Sequence, residues 1–276
     1  MPGGYPSLGS VCNGQSVGAV TASASGTSVT SGGAGHTKGS WVQLIASTAA
    51  DCSLVDIALA IDVSSFSDYG TFSVDIGIGA GGSEVVVVAD LLISSDFNRF
   101  NDARFTFPLQ IPAGTRIAAR CQCNKTSKSV NVSLTTYDAN FASGEGFAGV
   151  DALGFNSGST RGVSITPGAT SGVMGSYSQI VASTAKDYVG LFAAQDPLDQ
   201  GNVIHPMLLD IAIGAGGSEV VLLPQQTFGY FITNTFIFKM FSFIPVQIPA
   251  GTRLAGRALA DTNSSAAAGL TLYGVF

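Results

Sequence analysis

Charge is what this sequence has least of. Asp, Glu, Lys and Arg make up 11% of 276 residues, against about 25% in an ordinary soluble domain. With 46% apolar residues, the chain has little with which to cover its outside, which suits a subunit whose surface is largely taken up by neighbours. Twelve Lys plus Arg and a net charge of −6 leave no basic patch of the size a phosphate backbone needs, so nucleic acid is excluded as a partner. There are only two histidines, His36 and His205, and a metal site or a Ser-His-Asp arrangement built on one lone His has weak support. No stretch reaches the roughly 18 uninterrupted apolar residues of a membrane helix. The longest candidate, Val85 to Ile93, contains Asp90, and no membrane partner is expected. The opening Met1-Pro-Gly-Gly-Tyr-Pro lacks the basic start and apolar run of a secretory signal, so the chain is expected to be made in the cytoplasm. No window keeps a helical stripe for three turns, so helices are not expected either.

The four cysteines, Cys12, Cys52, Cys121 and Cys123, all lie in the first half. Cys121 and Cys123 share one face of a strand, too rigidly spaced for an easy mutual disulfide and without the second pair or the His of a zinc site. Buried free thiols are expected, with an intermolecular disulfide as the alternative.

What is present is one pattern written twice. Asp75 to Val87 (DIGIGAGGSEVVV) returns as Asp210 to Leu222 (DIAIGAGGSEVVL), Gln43 to Ala49 as Gln179 to Ala185, and Gln110 to Arg116 (QIPAGTR) as Gln247 to Arg253. The offsets are 135, 136 and 137 residues. A period of about 136 is a whole domain, far longer than the roughly 20 to 50 residues of a solenoid unit. A tandem duplication is therefore expected, each half large enough to bury its own core.

Phe72, Val74, Ile76 and Ile78 alternate with Thr71, Ser73, Asp75 and Gly77, the period of a sheet with one buried face. Leu54 to Ile61, Val85 to Val88, Leu91 to Ile93, Thr115 to Gln122 and Val130 to Tyr137 also read as strands. Phe105 and Phe107 alternate and match Phe241 and Phe243 at an offset of 136. The segment Val189 to Ala194, opposite Leu54 to Ile61, reads as a shorter strand. About eight short strands per copy, separated by Gly, Pro and Ser turns, predict an all-β chain of two tandem jelly-roll-like antiparallel β-sandwiches. The expected division is a Gly/Ser arm over 1–25, a sandwich over 26–138, a linker or arm over 139–160 and a second sandwich over 161–276.

Gly77 to Gly82 satisfies a dinucleotide fingerprint by its letters, but Ser83 onward is a strand where that site needs a helix N-terminus. Ala212 breaks the fingerprint in the second copy. A tight hairpin is expected, and no cofactor. The charges that both halves retain are Glu84 with Glu219, Arg116 with Arg253, Arg120 with Arg257, and Asp75 with Asp210. Arg116 and Arg120 are an even number apart, so they share a face and could meet Glu84 from a neighbouring strand. Structural ion pairs are the expectation, because catalysis would need a paired carboxylate or a base. Asp62, Asp68 and Asp75 do not have the spacing of a calcium loop. Phe66, Tyr69, Tyr188 and Tyr230 could form a sugar-stacking platform, though core or interface anchors are commoner roles.

The string DIGIGAGGSEVV at 75–86, followed at 107–120 by FPLQIPAGTRIAAR, resembles a module of structural proteins in tailed-bacteriophage virions. The resemblance covers Gly39 to Tyr137 and Gly175 to Tyr273. It implies a virion setting and no reaction: tail, neck or fibre pieces, or capsid decoration. The expectation is a non-enzymatic virion component made in the host cytoplasm, contacting copies of itself in a trimer or ring and other virion proteins. The divergent loops carrying Phe66, Tyr69, Asp199 and His205 are the candidate partner contacts. The alternative is a module binding a host receptor or glycan.

Overall fold

The computed structural model describes residues 14–19, 26–61, 70–94, 101–137, 147–197, 207–228, 239–240, 243–261 and 267–276. The first half runs β1 (Gly14–Val17), β2 (Thr27–Thr30), β3 (Val42–Ile45), β4 (Leu54–Ile61), β5 (Thr71–Ile78), β6 (Val85–Ser94), β7 (Asn101–Phe107), β8 (Ile117–Cys123) and β9 (Ser129–Tyr137). The second runs β10 (Val150–Leu153), β11 (Val163–Ile165), β12 (Ser178–Val181), β13 (Gly190–Pro197), β14 (Met207–Ile213), β15 (Val220–Phe228), β16 (Lys239–Met240), β17 (Leu254–Ala260) and β18 (Ala268–Val275). The fold is all-β, with no helix among the described residues.

In the first half β2-β9-β4-β7 form one sheet, with β1 beside β2 on the same edge of β9, and β3-β8-β5-β6 form the other. This interleaving of early and late strands is the order of a jelly roll. The same seven antiparallel pairings recur in the second half, from β10 with β18 through β14 with β17. The segments read from composition as arms each contain a strand, β1 and β10, which pairs its backbone with a sheet edge and sends Val17, or Val150 and Leu153, into a core.

Two sequence readings are corrected. Strand β13 is as long as β4, since pairing along β18 extends it past the apolar residues. Leu191 bridges Ile244 as Val55 pairs with Phe107, so Ile244, at an offset of 137, takes the place given to Phe243. A one-residue slip sends a side chain to the opposite face, and Phe243 lies against Phe192, with ring centroids 5.2 Å apart. Phe241 lies outside the described residues.

The halves share a sheet. Strand β10 lies parallel to β6 at Val150 and Val88, which joins β3-β8-β5-β6 to β10-β18-β13-β16 edge to edge. Strand β9 alternates buried and half-exposed residues, whereas its counterpart β18 is buried at every position. The reason is that β18 has a core on each side. Tyr273 and Val275 join the first core with Phe105 and Phe107, and Leu270 and Leu272 join the second with Leu209 and Ile211.

Candidate functional site

The retained charges cluster on the outer face of β5 and of β14. Asp75, in the middle of β5, is buried. Its Oδ1 accepts from the Asp90 backbone N–H at 3.0 Å and from Lys38 Nζ at 2.8 Å, and its Oδ2 accepts from Arg120 Nε at 2.8 Å. The Asp90 N–H is available because β6 carries a bulge there: the register shifts beside Val74 and Ile76, and Asp90 has φ +51°. A non-glycine residue in the left-handed region needs support, and the Asp75 carboxylate supplies it. The second half repeats the device. Gln225 has φ +47°, and Asp210 accepts from its N–H at 2.9 Å and from Arg257 Nε at 3.0 Å.

Each of these arginines lies against an aromatic ring, Arg120 over Trp41 and Arg257 over Tyr177, both at 4.6 Å. The rings differ in size, and the strand beneath differs to match. A Cβ on Gly77 would lie 2.7 Å from the Trp41 ring, so the larger ring sits over glycine. In the second half the equivalent positions hold the smaller Tyr177 and Ala212.

Arg116 and Arg120 do not converge on Glu84. Arg116 precedes β8, where its Nη1 donates to Glu84 Oε1 at 2.9 Å and to the Gly79 carbonyl at 3.2 Å, while Arg120 goes to Asp75. Arg253 Nη1 likewise reaches Glu219 at 3.1 Å and the Gly214 carbonyl at 2.9 Å. Each glutamate also accepts from a turn N–H, Glu84 from Gly82 and Glu219 from Gly217, both at 2.9 Å. At Glu84 desolvation pulls upward, but the hydrogen bonds from its own backbone, Arg116 and Gly82 outweigh it, and its carboxyl lies below the ordinary value. At Glu219 the bond from its own backbone dominates, Arg253 and Gly217 add to it, and the shift is downward again. These contacts pin the Gly-Ala-Gly-Gly turn in both halves.

One cluster belongs to the first half alone. Lys38 Nζ donates to Ser73 Oγ at 3.2 Å, to Asp75 and to Asp90 Oδ1, and Ser73 Oγ donates to Asp90 Oδ1 at 3.0 Å. Burial pushes the Asp90 carboxyl above its ordinary value, with Asp75 adding to this and Lys38 opposing it. The equivalent positions in the second half are Met174, Leu208 and Gln225. Sequence reading missed Lys38 and Asp90. The available signal was that polar residues far apart in the chain are replaced together when the halves are aligned.

The remaining candidates separate. Tyr188 is 1% exposed and donates to Asp151 Oδ2 at 2.9 Å, which makes it a core residue and not a platform. His36 Nδ1 lies 2.9 Å from Thr160 Oγ1, which also accepts from Gln122 Nε2 at 2.9 Å. Cys52, Cys121 and Cys123 are free, buried thiols. Among the described residues no three His, Cys, Asp or Glu side chains form a group that could hold a metal ion. Phe66, Tyr69, Asp199 and His205, together with Cys12, Asp62, Asp68 and Tyr230, lie outside the described residues.

No protein-family model and no curated protein matches the chain. Among solved structures, it is similar to the N-terminal CBM22-1-CBM22-2 tandem domain of Xyn10C from Paenibacillus barcinonensis, at 12% identity and TM-score 0.28, over 96% of this chain and 91% of that one. It is also similar to the infectious bursal disease virus Gx strain structure, at 9% identity and TM-score 0.25, over 96% and 72%. A third is tripeptidyl peptidase 2, at 10% identity and TM-score 0.28, over 96% and 23%.

Proposed function

We propose that this chain is a non-enzymatic structural subunit of a tailed-bacteriophage virion, an accessory tail, neck or fibre piece or a capsid decoration, assembled through protein contacts. The observation that carries this reading is the joint between the halves. One sandwich already binds another of like build through a sheet edge, β6 against β10, closed by Phe105, Phe107, Phe192 and Tyr273. The strand equivalent to β6 in the second half is β15. It ends its sheet among the described residues. An uncovered edge of this kind is a template for pairing with another chain. The retained charges support the same reading, because they bind turns and bulges within each half.

Mass spectrometry and antibody labelling of particles purified from the source of this chain test the proposal. The chain is expected in stoichiometric amount at a fixed position, and its absence from intact particles overturns the reading. A glycan- or receptor-binding module is the second reading, favoured by the half-exposed Trp41 and Tyr177 with their arginines. Saturable binding on a glycan array, lost in Trp41→Ala, would select it.

A further inference from the structure

The cluster peculiar to the first half brings an amine, a carboxyl group and a second carboxylate into contact from three different elements. Lys38 comes from the loop before β3, Asp90 from the β6 bulge and Asp75 from the middle of β5. The fold does not require them: the second half builds the same bulge with Gln225, and Asp210 supports it without a lysine. A partly buried ion cluster is also a poor way to gain stability, since apolar residues at such places commonly do as well or better.

We propose that Lys38 and Asp90 are joined by an intramolecular isopeptide bond that forms spontaneously in the folded chain, with Asp75 relaying the proton. The chemistry balances without a cofactor or an oxidant. Transfer of one proton from the Lys38 ammonium to the Asp90 carboxylate gives a neutral amine beside a neutral acid, with no net change in charge. Partial burial favours that neutral pair, and the upward shift at Asp90 runs in the same direction. The Lys38 Nζ lone pair then attacks Asp90 Cγ. Asp75 accepts the second amine proton and hands it to the departing hydroxyl, which leaves as water. One C–N bond forms, one C–O bond breaks, and the chain loses one water.

Several contacts hold the reacting atoms in place, as such a step demands. The Asp90 N–H is bound by Asp75, its carbonyl accepts from the Tyr273 hydroxyl at 3.1 Å, and its carboxylate is held by Ser73. Arg120 keeps Asp75 oriented at 2.8 Å. The Phe155 ring, 5.9 Å from Lys38 Nζ, closes one side of the amine. The bond would tie the loop before β3 to the bulge on which the second half docks. This inference does not depend on the virion reading.

The test is the intact mass of the denatured full-length chain after purification in the folded state, followed by peptide mapping. The expected mass is one water below that of the sequence. A branched peptide is expected to join the segment containing Lys38 to the one containing Asp90, with no cleavage after Lys38 by trypsin. Lys38→Met and Asp90→Gln, which install the second half's own residues, are each expected to show their full sequence mass. Asp75→Asn is expected to slow bond formation by about 100-fold or more. A wild-type chain that keeps its full mass after prolonged incubation overturns the proposal, and so does a water loss that persists in Lys38→Met. Formation at an unchanged rate in Asp75→Asn overturns the relay. If that variant does not fold, the wild-type and Lys38→Met masses still decide the bond.

Discussion

The Tyr273 hydroxyl accepts a hydrogen bond from the Leu92 N–H at 2.9 Å and donates one to the Asp90 carbonyl at 3.1 Å, linking the last strand of the chain to β6 across 181 residues. Two main-chain groups at the joint between the halves thus depend on one phenol. Tyr273→Phe keeps the ring and its edge contact with Phe105 but leaves both groups without this partner. Loss of about 1–3 kcal/mol is expected, read as a fall in the midpoint of urea unfolding with an unchanged slope.

Trp41 and Gly77 form a size-matched pair whose second-half version is Tyr177 and Ala212. Gly77→Ala alone drives a methyl group into the indole and should destabilise by about 1–3 kcal/mol. Adding Trp41→Tyr should recover much of that loss. A double-mutant cycle reads this as coupling of about 1 kcal/mol or more, and strict additivity would refute the match.

Glu84 and Glu219 both titrate below their ordinary value in the folded chain. A carboxyl depressed by folding stabilises at pH above its unfolded pKa, and the contribution is lost as pH falls through the folded pKa. The wild-type chain should therefore lose thermal stability in acid more steeply than the Glu84→Gln/Glu219→Gln double variant. At neutral pH the wild type should be the more stable of the two. Melting temperatures across pH 2–7 check both statements.

Burial pushes the Cys121 thiol up to about 12, with the neighbouring Cys123 adding to the shift, and burial raises Cys123 as well. Reactivity belongs to the thiolate. Cys121 and Cys123 should resist a disulfide reagent near neutral pH until the chain is unfolded, and then react fully. Rapid native labelling of either would contradict their burial.

Most strands were legible from the period-2 pattern and the repeated strings, and the jelly-roll-like architecture followed from a count of about eight strands, but the strand order was not read, nor that β5 is buried on both faces. Leu54 to Ile61 was read to its ends, since every second residue of β4 enters the core. The division of labour between Arg116 and Arg120 was not legible. Parity along a strand fixes a shared face but not which neighbour supplies the acid, and the register of β5 on β8 sets Asp75 directly opposite Arg120. Strands β1 and β10 were hidden because each is short and sends only one or two side chains into a core, Val17 from β1 and Val150 and Leu153 from β10, too few to show a period. The slip from Phe243 to Ile244 needed one inserted residue to be placed, which aligned aromatics cannot do.

A nine-stranded sheet that serves both halves means that neither half is a finished protein. Cut between β9 and β10, the C-terminal piece would meet water with Phe192, Tyr273 and Val275, and the N-terminal piece with Phe105 and Phe107. The repeat that looks in the sequence like two interchangeable beads is in physical terms one body, whose parts should melt together and turn insoluble when made apart.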